Sequence, residues 1–409
     1  MARIFLLPGI FPLLLILTQA ITAQGAVRGV HASGPLEDSV RISPLAKCAS
    51  CPTKEEITAP GVGFALEMGY GTAALRLHDG KYQTVARVEG DEAYTSLLRS
   101  LAMGPKYREP DNDASPWEKM KYLKERAQRL LNKAMGRPAT PQSAVLGDMV
   151  SKLRSKTEAA LGDGQNVTAA VLSSPEKIRL TSEELNDALD YLEIRNLMAE
   201  PDDIGELYAG SAAYAGFGLG LCKNYTDPEA CRQEEREFLD DWVIYLDFSD
   251  YSLSGTVKRF FLGVRNGVDY YSWIEPGLGL ERLKEMEETE YWTAVTAHIH
   301  RMVERFGEVV SRLMFTGPSA ADPRFEEAVK NAFRQRAGLS DESQIVDRDG
   351  GKGQVQDFVF ATAKGAAEFA KRRQEVRCVE DEECKPIRNA WLEEGKRQMG
   401  LGPQIVLHA

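Results

Sequence analysis

The chain has 409 residues, enough for two or three domains of about 150 residues each, and 43% of them are hydrophobic, which supports one large or two medium cores. Its 50 Lys and Arg fall 11 short of the 61 Asp and Glu, and no basic run stands out. That balance argues against a nucleic-acid-binding surface and disfavours an anionic membrane surface. Charged residues at 27% and a dispersed aromatic content exclude wholesale disorder, collagen-like and heptad-dominated architectures.

Residues 1–23 begin with Arg3, continue with the apolar run Ile4–Leu17 broken by Pro8 and Pro12, and end in small residues at Ala20 and Ala23. This is the pattern of a secretory signal peptide. It falls short of the roughly 20 apolar residues a membrane span needs. The Ala/Gly-rich stretch Tyr208–Leu221 is only 14 residues long and reads as a packed internal helix, so no membrane span is expected after signal cleavage. The chain ends Val406-Leu407-His408-Ala409 without a lumenal retention signal. The expected localisation is therefore secreted, extracellular or in the secretory-pathway lumen.

That route makes disulfides the expectation for the six cysteines Cys48, Cys51, Cys222, Cys231, Cys378 and Cys384. Of 15 pairings, sequence proximity favours Cys222–Cys231 and Cys378–Cys384. The Cys48-Ala49-Ser50-Cys51 spacing also suits a redox-active pair, but such pairs open a helix after a strand, and no strand precedes this one. Asn166-Val167-Thr168 and Asn224-Tyr225-Thr226 are N-glycosylation sequons and should lie on the surface.

Residues 24–57 lack hydrophobic periodicity and read as a poorly ordered lead-in. Strands then follow at Val62–Met68, Thr72–Leu77 and Tyr82–Val88, with Asp79-Gly80 suited to a hairpin turn. The same grammar returns at Trp242–Phe248, Val257–Val264 and Val268–Trp273, with Asn266-Gly267 at the second turn. Each meander's first strand ends near an acid, Glu67 in one and Asp247 in the other, which points to a duplicated architecture. Ser115-Pro116-Trp117-Glu118 opens a helix running through Met120, Leu123, Ala127 and Leu130 to a stop at Gly136 and Pro138, with its charged face in solvent. A strand at Ala169–Ser173, a capped helix from Thr181, a long helix at Leu280–Val310, a strand at Leu313–Thr316 and a helix at Phe325–Phe333 complete an α/β pattern.

With these elements in order, the chain resembles the actin-like ATPase superfamily, most closely the nucleotide-binding domain of the 70-kDa heat-shock chaperones, over about residues 60–375. The likeness rests on Gly63–Thr72 at the position of the first phosphate loop, on Met149–Pro175 as the helix and strand that follow, and on Ser211–Gly218 as a connecting helix. Asp247-Phe248-Ser249-Asp250 falls at the second phosphate loop, Phe315–Ser319 with Pro323-Arg324-Phe325 at the adenosine loop, and Ala361–Ala367 at the second connecting helix. The resemblance implies an α/β two-lobe actin-like ATPase fold, a duplicated ribonuclease-H-like unit with a reduced second lobe. Lobe I would comprise 58–222 and 356–377, lobe II 223–355, and a C-terminal helix and tail 378–409. The nucleotide-site candidates it implies are Glu67, Gly69, Gly71, Thr72, Asp247, Ser249, Asp250 and Gly317.

The departures from the family pattern bear on function. Family members hold phosphates with backbone N–H groups on glycine turns, where no side chain blocks approach. Here the second turn reads Ser249-Asp250-Tyr251. A carboxylate about 4 Å from a phosphate charge costs roughly 4 kcal/mol at an effective dielectric of 20. Glu67 stands where the family has Asp, Tyr70 where it has Thr, Pro318 replaces a glycine of the adenosine loop, and Ala321 replaces its stacking Arg. The interval from Trp273 to Thr316 is also too short for the subdomain that walls the adenine pocket. Glu67 and Asp247 then read as strand-end acids kept for turn geometry or solvation rather than as surviving metal organisers.

The remaining motifs read as structural. Gly216–Gly220 extends a helix instead of following a strand, Asp349–Gly353 lacks the spacing of a phosphate-binding P-loop, and His298 and His300 point to different helix faces. The Trp292–Phe306 stripe is core. The expectation is a glycosylated pseudo-ATPase that acts by binding an unidentified protein partner, with no cofactor and no metal. The alternative is an active chaperone-like ATPase using ATP and magnesium in a rearranged pocket.

Overall fold

The computed structural model describes residues 51–376 apart from 105–112, 163, 177, 179, 199–205, 265–266, 308–309 and 335–354, together with 384–386 and 389–390. The expected signal peptide, Cys48, Asn266, the Asp349–Gly353 loop, Cys378 and most of the 378–409 tail lie outside the described residues.

Among the described residues, two mixed sheets and ten helices make an α/β fold. In the first sheet β1 (Gly61–Leu66), β2 (Tyr70–Arg76) and β3 (Tyr82–Glu89) form an antiparallel meander. Its β2–β3 turn is closed by the Leu77 N–H to Lys81 C=O bond at 2.8 Å, with Gly80 at φ +91°, where a side chain would be strained. Strand β4 (Ala169–Ser174) joins β1 in parallel, and the short β5 (Arg195–Asn196) and β6 (Leu207–Tyr208) join β4. The order is β3-β2-β1-β4-β5.

The second sheet repeats this grammar. The meander β7 (Asp241–Phe248), β8 (Leu253–Phe260) and β9 (Gly267–Glu275) pairs through β7 with a parallel β10 (Arg312–Thr316), in the order β10-β7-β8-β9. In both sheets a meander's first strand accepts a parallel neighbour on its free edge.

Helices α1 (Lys54–Thr58), α2 (Glu92–Met103), α3 (Pro116–Ala134), α4 (Pro141–Leu161) and α5 (Ser182–Tyr191) belong to the first half. Tyr94, Leu98, Met149, Leu153, Leu185 and Leu189 from α2, α4 and α5 build one core with Phe64, Leu66 and Leu75. After α6 (Ala209–Gly216) and α7 (Pro228–Glu237), the second half adds α8 (Glu288–Phe306) and α9 (Pro323–Arg334). Their Tyr291, Val295, Ile299 and Phe325 pack on Ile244, Leu246, Phe248 and Val257.

Helix α10 (Val355–Val376) joins the two assemblies. A Cβ on Gly63 would lie 2.1 Å from Ala367 N, so β1 rides directly on the α10 backbone. A Cβ on Gly365 would lie 1.7 Å from Ala212 O, and one on Gly216 1.9 Å from Ala361 O. Helices α6 and α10 therefore cross at backbone contact, and this is the reason for the Ala/Gly content of both.

The C-terminal half of α10 carries a buried ionic network. Glu368 receives Arg76 Nε at 2.6 Å and Arg372 Nε at 2.7 Å, while Lys371 Nζ donates to the carbonyls of Ile57 at 2.5 Å and Ala59 at 2.8 Å.

Several expectations are corrected. Strand β8 is Leu253–Phe260 rather than Val257–Val264, because Leu262 and Gly263 turn to positive φ. The Leu280–Val310 helix starts only at Glu288, where the Glu287 carboxylate caps the N–H groups of Thr289 and Glu290; Leu280–Lys284 is a 3-10 turn. Helix α6 stops at Gly216, short of Leu221, since Gly218 and Gly220 adopt φ +78° and +61°. Within the supposed lead-in, α1 is formed by a Thr53/Glu56 capping box and buries Ile57.

Cysteine pairing is corrected as well. Cys222–Cys231 forms as expected, but Cys384 bonds Cys51 across 333 residues, not Cys378. Helix α10 runs back along β1 and delivers the C-terminal segment beside α1, so nearness in sequence misleads. With Cys51 committed to Cys384, neither a Cys48–Cys51 bridge nor a redox pair is formed. Replacing Cys51 and Cys384 together by serine is expected to cost about 4–5 kcal/mol, the upper end for a single disulfide, because this bridge closes most of the chain. Urea unfolding measures it, and an unchanged midpoint would count against the bridge.

Candidate functional site

The two acids come from equivalent places: Glu67 directly follows β1, and Asp247 is the penultimate residue of β7. Both are buried, with 3% and 4% of their surface exposed, so the solvation reading of these acids is wrong. Burial, followed by the charges of Asp247 and Glu176, pushes the Glu67 carboxyl well above the usual range, against a hydrogen bond with Thr362. Burial likewise pushes Asp247 up to about 6, opposed by the Thr316 hydroxyl, which donates to its Oδ2 at 2.9 Å. Tyr94 donates its hydroxyl to the Glu67 carbonyl at 2.8 Å, and the Tyr245 hydroxyl lies 2.7 Å from that of Thr316.

Glu176, which sequence reasoning missed, is the third acid. It accepts the Gly210 N–H at 2.6 Å and lies 3.5 Å from buried Lys258, which also reaches Asp269 at 3.0 Å and Ser211 at 2.9 Å. Only its position two residues past β4 could have flagged it.

The three turns read as nucleotide loops pack on one another. The Tyr251 ring of the second turn lies against Gly69 of the first: a Cβ there would fall 1.8 Å from a ring carbon. The Gly69 carbonyl accepts from Gly90 N at 2.8 Å. In the second turn the Ser249 hydroxyl accepts the N–H groups of Tyr251 and Ser252, both at 3.3 Å. Asp250 Oδ1 accepts the Ser319 hydroxyl at 3.1 Å, tying the second turn to the third. Gly317, at φ +95°, sits where a Cβ would lie 2.1 Å from Phe248 O.

Gly71 faces Leu153 and Met149 of α4, away from these turns, and Thr72 is buried in β2 with its hydroxyl unpartnered. The expected residues are thus divided: Glu67, Gly69, Asp247, Ser249, Asp250 and Gly317 converge, Gly71 faces the first core, and Thr72 lies on the other face of β2 with Ala74, the side that meets α10.

Two of the second-turn N–H groups thus bond a serine hydroxyl of their own turn, and Gly69 of the first turn lies under an aromatic ring. Among the described residues, the cluster of three metal-ligating side chains within 4.8 Å is Cys222, Cys231 and Glu235, and its sulfurs are joined in a disulfide.

Two surface clefts, of 650 and 520 Å³, are lined by Trp292, Thr296, Arg324 and Arg334 and by Tyr208, Lys258, Asp269 and Arg372 respectively. Neither lining includes an expected nucleotide-site residue. His298 and His300 contact different carbonyls, those of Ala294 and Ala332. The sequon asparagines Asn166 and Asn224 are both exposed. Comparison with protein-family models and with curated proteins finds no match to the chain.

Proposed function

We propose that this is a secreted pseudo-ATPase: an actin-like two-lobe scaffold, with a reduced second lobe, whose nucleotide site has closed and which works by binding a protein partner rather than by turnover. Support for the scaffold comes from the repeated strand order, with α6 and α10 as the two connecting helices. The observation that carries the loss of function is the Tyr251 ring seated on Gly69, where the family's phosphate would pass between two glycine turns. Two disulfides and two exposed sequons agree with passage through the secretory route.

The second reading, an active chaperone-like ATPase using ATP and magnesium, draws on the buried Glu67 and Asp247 pair. Carboxyls held far from their ordinary pKa at equivalent strand ends are a feature of catalytic sites. Calorimetric titration of the full chain with magnesium ATP separates the two. No measurable heat is expected, and a dissociation constant in the micromolar range would overturn the pseudo-ATPase reading.

A further inference from the structure

Helix α3 is docked with its polar side inward. At 100° per residue, Met120, Leu123, Ala127, Leu130, Leu131 and Ala134 share an arc of about 100°, and every one of them is exposed, Leu123 by 62% and Leu130 by 58%. No residue of the helix is buried. Its less exposed residues, Tyr122, Arg129 and Asn132, lie on the opposite side. There Arg129 pairs with Asp187 and Glu183, Lys133 with Asp187 at 2.9 Å and Asp190 at 2.8 Å, and Asn132 donates to the Ala139 carbonyl at 3.1 Å. These contacts hold the helix to α5 and leave the apolar arc pointing away.

Charge on the arc's borders selects the occupant. Lys119 and Arg126 flank one edge, and Lys124 the other beside Trp117, which is 72% exposed. The helix carries six basic and two acidic residues, a net of +4 in a chain whose total is −11. A narrow apolar stripe with Lys119 and Arg126 on one border, Lys124 on the other and an aromatic at its rim is the pattern of a helix lying in a lipid interface.

A second copy is disfavoured because apposed stripes would bring these cations onto one another. A helix of 19 residues is also about 28 Å long and offers only about 300 Å² per partner, against roughly 800 Å² in a stable interface. The overall negative charge does not forbid the contact, since exposed charges more than about 8–10 Å away are screened at physiological salt.

We propose that α3 is a membrane-surface anchor: its Met120–Leu131 stripe enters the interface of a bilayer containing anionic lipid, with Lys119, Lys124 and Arg126 at the headgroups. The test is co-sedimentation of the full chain with vesicles of phosphatidylcholine alone and of phosphatidylcholine with about one-third phosphatidylserine. Partitioning is expected to be at least tenfold stronger to the anionic vesicles and to fall as salt is raised.

Leu123→Glu with Leu130→Glu should abolish partitioning. Lys119→Glu with Lys124→Glu should weaken it at least tenfold, with an unchanged melting curve in both cases, because none of these side chains is buried. Equal partitioning to both vesicle types, no partitioning, or retention by the Leu123→Glu/Leu130→Glu variant would overturn the proposal. So would a dimer in analytical ultracentrifugation that the same two substitutions dissolve, which would give the face to a second copy.

Discussion

Replacing Gly365 by valine is expected to destabilise the protein by about 4 kcal/mol, a large share of the 5–15 kcal/mol typical of a folded domain. The clash is with the Ala212 carbonyl rather than with a flexible side chain, so α6 and α10 must separate. Helix α10 cannot give way on its other side, because Ala363 and Ala367 already ride on β1, where Gly61 and Gly63 admit the helix backbone. Even alanine should cost most of this, since the first added carbon already lies at 1.7 Å.

Gly147→Ala in α4 is the control. Its Cβ would meet the Tyr191 ring at an ordinary 3.4 Å, and the helix gains up to about 1 kcal/mol from the lost backbone freedom. Urea unfolding followed by circular dichroism reads both, and a Gly365→Ala protein as stable as the parent would refute the close crossing.

Asp247→Asn is expected to stabilise the protein at pH 7.5 and to have little effect below about pH 4. The folded pKa of about 6 lies above the ordinary 3.8, so the folded state binds the proton more tightly and loses stability as pH rises through the folded value. Two units correspond to about 3 kcal/mol at neutral pH. Asparagine removes that penalty and keeps an acceptor for Thr316. Glu67→Gln should act in the same direction, since burial and the neighbouring acids raise that carboxyl too.

The network on α10 has the opposite sign. Burial works against ionisation of Glu368, but Arg372 and Arg76 outweigh it and hold the carboxyl below its ordinary value. Glu375 is lowered against burial by His78 and Lys371. Their stability contribution is present above the unfolded carboxylate pKa and is lost as pH falls through the folded values. Stability should therefore peak on the acid side of neutrality, and Asp247→Asn should move that peak upward. Thermal melts across pH 3–8 measure this, and a neutral-pH melting point unmoved by Asp247→Asn would refute it.

Both meanders were legible from alternation and turn residues because strand pairing there is local, joined by hairpins of a few residues. The acids at their ends were legible as positions. Their surroundings were not, because the groups that meet them, Glu176 and Thr362 at Glu67 and Thr316 at Asp247, arrive from beyond β4, from α10 and from β10, far away in sequence. The Cys51–Cys384 bond was hidden for the same reason: loop-closure entropy favours near neighbours, and only the path of α10 overrides it. The limits of α6 and β8 were missed because positive φ at Gly218, Gly220, Leu262 and Gly263 ends them before the hydrophobic pattern does.

Helix α3 marks the boundary between the two kinds of information. Its cap, length and apolar stripe follow from local rules, since capping, helix propensity and 3.6-residue periodicity act within a turn or two. Which side of that stripe meets the body was settled by Asp187, Glu183 and Asp190 on α5, which hold Arg129 and Lys133 and so turn the apolar arc outward. Local periodicity establishes that a helix has two faces; partners distant in the chain decide which of them water sees.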